Sequence, residues 1–264
     1  MVIKSGGPGS ESLRLAEESA EAFERAGQAS EPMVAAIEYA QGLAKAGDAQ
    51  LAAAYTYLQR AVGILAISLP ATLAIGNLIF GGHGLRGSIS AYYYTHMGNV
   101  FVGTLCALAV FFLSYNYRPL QHFELDSLLS RAAAVAAIGV AVFPTASDAV
   151  GGDGGEKLVS TLHLVCAGAL FSLLGVFAFF RFTKTGGPGE MTPEKQRRNR
   201  LYRVCGALIF LSIALVLVSN AIKPPSSLHA LFYLETVCVE AFGISWLVKG
   251  GFLGILADKP AVNT

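Results

Sequence analysis

Apolar runs of roughly twenty residues, each long enough to cross a hydrocarbon layer of ~30 Å as a helix, most constrain what this chain can fold into. They lie at about 61–81, 99–117, 131–147, 158–180, 202–222 and 229–249. The composition fits them. Of 264 residues 53% are hydrophobic and only 14% charged, against about 25% charged in an ordinary soluble domain; the mean hydropathy is +0.52. We therefore expect an all-α fold, a polytopic membrane bundle of six transmembrane helices. A net charge of +1 supplies no basic excess to neutralise phosphates, so nucleic acid is not an expected partner.

Residues 1–58 are different material. They hold 8 of the 18 acids and no long apolar run. Leu13, Ala16, Ala20 and Phe23 recur at helical spacing, as do Met33, Ile37, Ala40 and Leu43. Ser30-Glu31-Pro32 reads as a helix start and Gly27 and Gly47 as stops. The expectation is two short amphipathic helices, with a third from about Asp48 into the membrane. The narrow, alanine-rich stripes suit a partner, a sister copy or the membrane face, so residues 10–47 are the candidate interaction segment. The first 30 residues lack the apolar stretch of a signal peptide. The expected division is a cytosolic helical tail at 1–58, a six-helix domain at 59–250 and a C-terminal tail at 251–264.

Basic residues orient the spans. With the N-terminus inside, sixteen of the nineteen Lys and Arg fall on inner segments, seven of them in the loop and flanks from Arg181 to Arg203. Only Arg86, Lys157 and Lys223 fall outside. This predicts a plasma-membrane protein with both termini in the cytoplasm. Arg197, Arg198 and Arg200 are then candidates to touch anionic lipid head groups.

That topology brings His83, His96, His163 and His229 to or near the outer face, together with Asp148. In the last span His229, Tyr233, Thr236 and Glu240 make one polar stripe at ~100° per residue, with Glu240 ~16 Å below His229. An acid at that depth costs a few kcal/mol unless it is neutral or paired in a wet cavity, which makes it a functional-site candidate. The plainer alternative is a neutral acid hydrogen-bonded across helices. Glu235 lies on the opposite side of the same helix, where it is expected to face head groups. In the fourth span Ser160 and His163 share a face, and His163 is a candidate ligand or proton carrier oriented by Asp148. Its plainer alternative is an interfacial histidine bonded to a neighbouring carbonyl.

The expected site is thus an outward-opening pocket of His163, His229 and Glu240, with Tyr233, Thr236, His96, Asp148 and Ser160 nearby, holding a lipid or another amphiphile. No catalytic residue is assigned. Cys106, Cys166, Cys205 and Cys238 all fall within spans and read as thiols packing between helices. Trp246 and Tyr92-Tyr93-Tyr94 suit the inner and outer aromatic belts. Gly-Gly-Asp-Gly-Gly at 151–155 precedes no lysine-serine pair and is no phosphate cradle.

Two resemblances add to this. A third span closing on Phe143-Pro144-Thr145, a fourth opening on His163 in Leu-His-Leu-Val-Cys-Ala, and the Ser88-Ile89-Ser90-Ala91-Tyr92-Tyr93-Tyr94 segment resemble the Frag/DRAM/Sfk-type six-helix membrane proteins and their uncharacterised bacterial relatives over about residues 55–250. The resemblance implies a multi-pass protein, on the bacterial likeness one of the bacterial inner membrane, from a group that includes lipid-anchor remodelling and membrane-trafficking factors. More distantly, the chain is similar to the alkaline ceramidase and progestin/adiponectin receptor superfamily, which sets one serine, one aspartate and three histidines around zinc. Ser88 or Ser90, Asp148, His96, His163 and His229 match that inventory. The histidine pair four apart in the last helix is absent, because Tyr233 follows His229 at that spacing, and the superfamily usually has seven spans. On that likeness zinc would be held by His163, His229 and Asp148 in a metal-dependent lipid hydrolase. A membrane-anchored sensor or interaction module acting through the N-terminal tail is the remaining alternative.

Overall fold

The computed structural model describes residues 14–21, 31–115, 125–145, 154–184, 192–222, 225 and 228–252. Among them the chain is helical, with no strand. It divides into two compact units, Met1–Tyr57 and Leu58–Thr264.

In the first unit a short helix, α1, covers 14–21, with Arg14 and Glu18 3.7 Å apart one turn on. The long helix α2, Glu31–Ile79, begins in this unit. The expected stop at Gly47 does not occur, because α2 runs through Gly42, Gly47 and on past Asp48. A glycine costs a helix about 1 kcal/mol, too little to break one that continues into a strongly apolar segment. Leu15, Tyr39 and Leu43 are exposed. Ser30 and Gly27, the other expected boundary residues, lie outside the described residues.

The second unit comprises the rest of α2, then α3 (Gly98–Ser114), α4 (Leu125–Val142), α5 (Gly154–Val176), α6 (Pro193–Ile222) and α7 (Ala230–Lys249). A 3-10 turn at Ser90–Tyr94 precedes α3, and a π-helical turn at Phe177–Arg181 extends α5. Among the described residues five helices are long and apolar enough to cross a membrane; α3 is apolar but only 17 residues long. α4 stops at Val142, several residues short of the expected edge. Pro144 explains this, since the residue before a proline is pushed out of helical geometry.

Hydrogen bonds at both ends show the helices alternating in direction. At one end Phe232 N–H donates to the Gly87 carbonyl (3.0 Å) and the Tyr94 hydroxyl donates to the Thr145 carbonyl (2.7 Å). At the other, Arg60 donates to the Gly250 carbonyl (2.8 Å) and Arg181 pairs with Asp126. α2 and α7 cross at Gly63 and Gly243. A Cβ on Gly63 would stand 2.8 Å from the Gly243 carbonyl oxygen, so only small residues allow the two backbones to approach this closely.

Trp246 faces the bundle interior and not its outer surface. It is fully buried at the centre of an aromatic cluster with Phe112, Tyr115, Phe182 and Phe242, at ring distances of 4.9 to 6.0 Å. Tyr92 is likewise fully buried, packed on Phe232, and its oxygen accepts from the Arg86 N–H. Of the three expected belt tyrosines only Tyr94 is exposed. Partial burial, with Tyr93 and Glu156 nearby, holds its phenol above the usual range, so Tyr94 keeps the proton that it donates to Thr145.

Candidate functional site

The loop between α2 and α3 is tied down residue by residue. Asn77, at the end of α2 and almost fully buried, donates to the Gly84 carbonyl (3.3 Å). The Ser88 and Ser90 hydroxyls lie 3.1 Å apart, and Ser88 also accepts from the Ala91 N–H. Two bonds then fasten this loop to the start of α7: the one from Phe232 to Gly87, and a 2.6 Å bond from the Ile89 N–H to a Glu235 carboxyl oxygen. The loop therefore roofs the bundle rather than projecting from it.

Beneath that roof lies a cavity of about 60 Å³. α2, α3, α4, α5 and α7 all contribute walls, through side chains such as Leu69, Leu105, Val140, Leu170 and Phe242. Among the described residues, the polar ones in its lining are Ser90, His163 and Glu235. His163 is 3% exposed, and its Nδ1 lies 2.7 Å from the Phe143 carbonyl oxygen. Pro144 has no N–H to donate to the Val140 carbonyl four residues back, and α4 stops at Val142, which leaves the last carbonyls of the helix to side-chain donors such as His163. A carbonyl only accepts, so Nδ1 carries the proton of that bond. His163 thus bonds a neighbouring carbonyl, as the plainer of its two sequence readings has it, and it also lines the cavity.

The remaining candidates fall elsewhere. Glu240 and Tyr233 are exposed, on the face of α7 turned away from the cavity, and the half-buried Thr236 hydroxyl folds back onto the Phe232 carbonyl (2.8 Å). The acid in the cavity is Glu235, where the sequence pointed to Glu240. In α7 the inward face is the one carrying Glu235, Cys238, Phe242 and Trp246 at helical spacing. His229 caps α7 in the left-handed region (φ 44°), with its buried Nδ1 unpartnered among the described residues, and it does not line the cavity. Ser160 is half-buried on α5 outside the lining, and His96 is exposed. Asp148 lies outside the described residues, so its expected pairing with His163 falls there too.

Glu235 was missed as a cavity residue, and Ser90 was named only through the more distant superfamily likeness. No signal in the sequence separates the face of Glu235 from that of Glu240, because both faces of α7 are apolar around their acid.

Among the described residues no three of His, Cys, Asp and Glu gather in a way that could hold a metal ion. The chain of hydrogen bonds that activates a serine nucleophile is not formed either: Ser90 faces Ser88, and His163 is engaged by a carbonyl. What the arrangement offers is a slot that is apolar along its length and hydrogen-bonding at one end. Comparison with protein-family models, with curated proteins and with solved structures finds no match.

Proposed function

We propose that the protein is a six-span membrane protein with both termini on the cytoplasmic side, and that its intramembrane cavity binds a lipid or another amphiphile. The observation that carries this is the gathering of Ser90, His163 and Glu235 at one end of an otherwise apolar slot. Binding sites for small molecules have this character, mostly apolar walls with a few convergent polar groups. A hollow of about 60 Å³ takes a small head group and not a chain, so we place in it a hydroxyl or amine that donates to the Glu235 carboxyl oxygen, with the chain leaving between α3 and α5. The polar end of the slot lies near the loops that join α2 to α3 and α6 to α7, the side poor in Lys and Arg, which gives access from the outer leaflet.

The test is photolabelling of the purified full-length protein with a diazirine-tagged fatty alcohol, fatty amine and fatty acid. Alcohol or amine label on α3 and α5 peptides, lost in Glu235→Gln with His163→Ala, is the expected result. Labelling indifferent to those changes would refute the site. Orientation is read separately by thiol labelling of intact cells, where His83→Cys reacts from outside and Gly187→Cys only after permeabilisation.

A further inference from the structure

At the end of the bundle opposite the cavity, a second and larger hollow of about 570 Å³ lies between α6 and the π-helical turn that extends α5. Its size is that of a small-molecule site. One face of α6 supplies Gln196, Asn199, Arg200 and Arg203, then Val204 and Ala207, while Phe179 closes it from the π turn. These α6 residues recur at three- and four-residue steps, so they form one stripe that changes from basic to apolar as the helix enters its apolar run. Gly206 makes the geometry feasible: a Cβ there would collide with the Phe179 backbone nitrogen at 2.8 Å, so the π turn sits directly on α6.

We propose that this groove binds an anionic phospholipid, with the phosphodiester between Arg200 and Arg203 and an acyl chain descending along Val204, Ala207 and Phe179. Three observations favour that occupant. No acid lines the groove, and neither Arg200 nor Arg203 is in an ion pair among the described residues. Asn199, only 7% exposed, places an amide within the same wall. The apolar lower half lies within a helix long and apolar enough to span a membrane, which suits a ligand with a tail and leaves half of the groove empty for a free phosphate. Basic pockets at helix ends are also where anionic head groups are held, and guanidinium forks match a phosphate's oxygens. The neighbouring Arg181 is already paired with Asp126 and is not part of this groove. The site is independent of the cavity at the other end.

The experiment is native mass spectrometry of the detergent-purified full chain titrated with phosphatidylglycerol and, in parallel, phosphatidylcholine. Expected is preferential retention of one phosphatidylglycerol, weakened about tenfold or more in Arg200→Gln with Arg203→Gln. Arg197→Gln, which removes an exposed arginine outside the groove, should leave it unchanged. Arg200→Lys with Arg203→Lys keeps the charge and guards against misfolding; it should retain part of the preference. Equal loss in Arg197→Gln would show diffuse attraction and overturn the groove. So would no preference in the wild type, or displacement of the lipid by millimolar inorganic phosphate.

Discussion

Replacing Glu235 by leucine removes the acceptor for the Ile89 N–H while keeping an apolar side chain of similar reach. Ile89 is 5% exposed and its N–H lies 2.6 Å from the carboxyl oxygen, so water has little access to take the place of the lost partner. An unsatisfied buried donor costs about 1–3 kcal/mol. For a domain of this size each kcal/mol lowers Tm by about 2–4 °C, so Glu235→Leu should melt about 2–12 °C lower in detergent. Glu235→Gln keeps an acceptor and should lose less. The loop's other tie, from Phe232 to Gly87, remains, so the damage is local: the Ile89 amide should exchange faster in deuterium oxide, by about tenfold for each 1.4 kcal/mol. Exchange at Ile89 in Glu235→Leu as slow as in the wild type, with an unchanged Tm, would refute the claim that this carboxyl holds the roof closed.

Three further outcomes follow from the same geometry. His163→Ala strips the Phe143 carbonyl of its imidazole partner and should cost about 1–3 kcal/mol, seen as a lower Tm together with loss of amphiphile labelling. Glu240→Gln, on the exposed face, should leave labelling intact and shift stability by no more than about 0.5 kcal/mol; loss of labelling would return the site to the stripe read from sequence. Gly243→Leu would place its Cβ 2.7 Å from Ile67 and 2.9 Å from the Gly63 carbonyl oxygen, forcing α2 and α7 apart at a cost of about 1–3 kcal/mol or more. Gly103→Leu, with nothing within 4 Å, is the control and should fold normally; both are read by size-exclusion profile and Tm.

Much of the architecture is legible in the residues. The apolar runs locate α3 to α7 to within several residues, and Pro144 marks the end of α4. His163 is legible as well, because an imidazole one turn or more inside an apolar helix needs a partner and the preceding segment ends on a proline with a spare carbonyl. The tail was harder, since Gly47 carries the usual signal of a helix end and the helix nonetheless continues through it. Tyr92 and Trp246 misled for a different reason. Their amphipathic rings suit the membrane interface, but the same rings also fill a bundle interior when other aromatic side chains surround them.

The choice between Glu235 and Glu240 shows where reading the sequence stops. Helical periodicity separates the two acids onto opposite faces of α7, and no tertiary information is needed for that. Which face turns inward is another matter. In a soluble helix the apolar face declares itself, but a bilayer is as apolar as the protein interior, so lipid-facing and core-facing sides carry no contrasting pattern. Close packing decides instead: Gly243 against Gly63 sets the rotation of α7, and that rotation brings Glu235 under the Ile89 amide and turns Glu240 outward. The apolar runs determine by themselves that the chain is a set of membrane-length helices, because no other partner can hide so much apolar surface. The polar groups that share a hollow depend on contacts between helices far apart in the chain, and these exist only once the bundle has assembled.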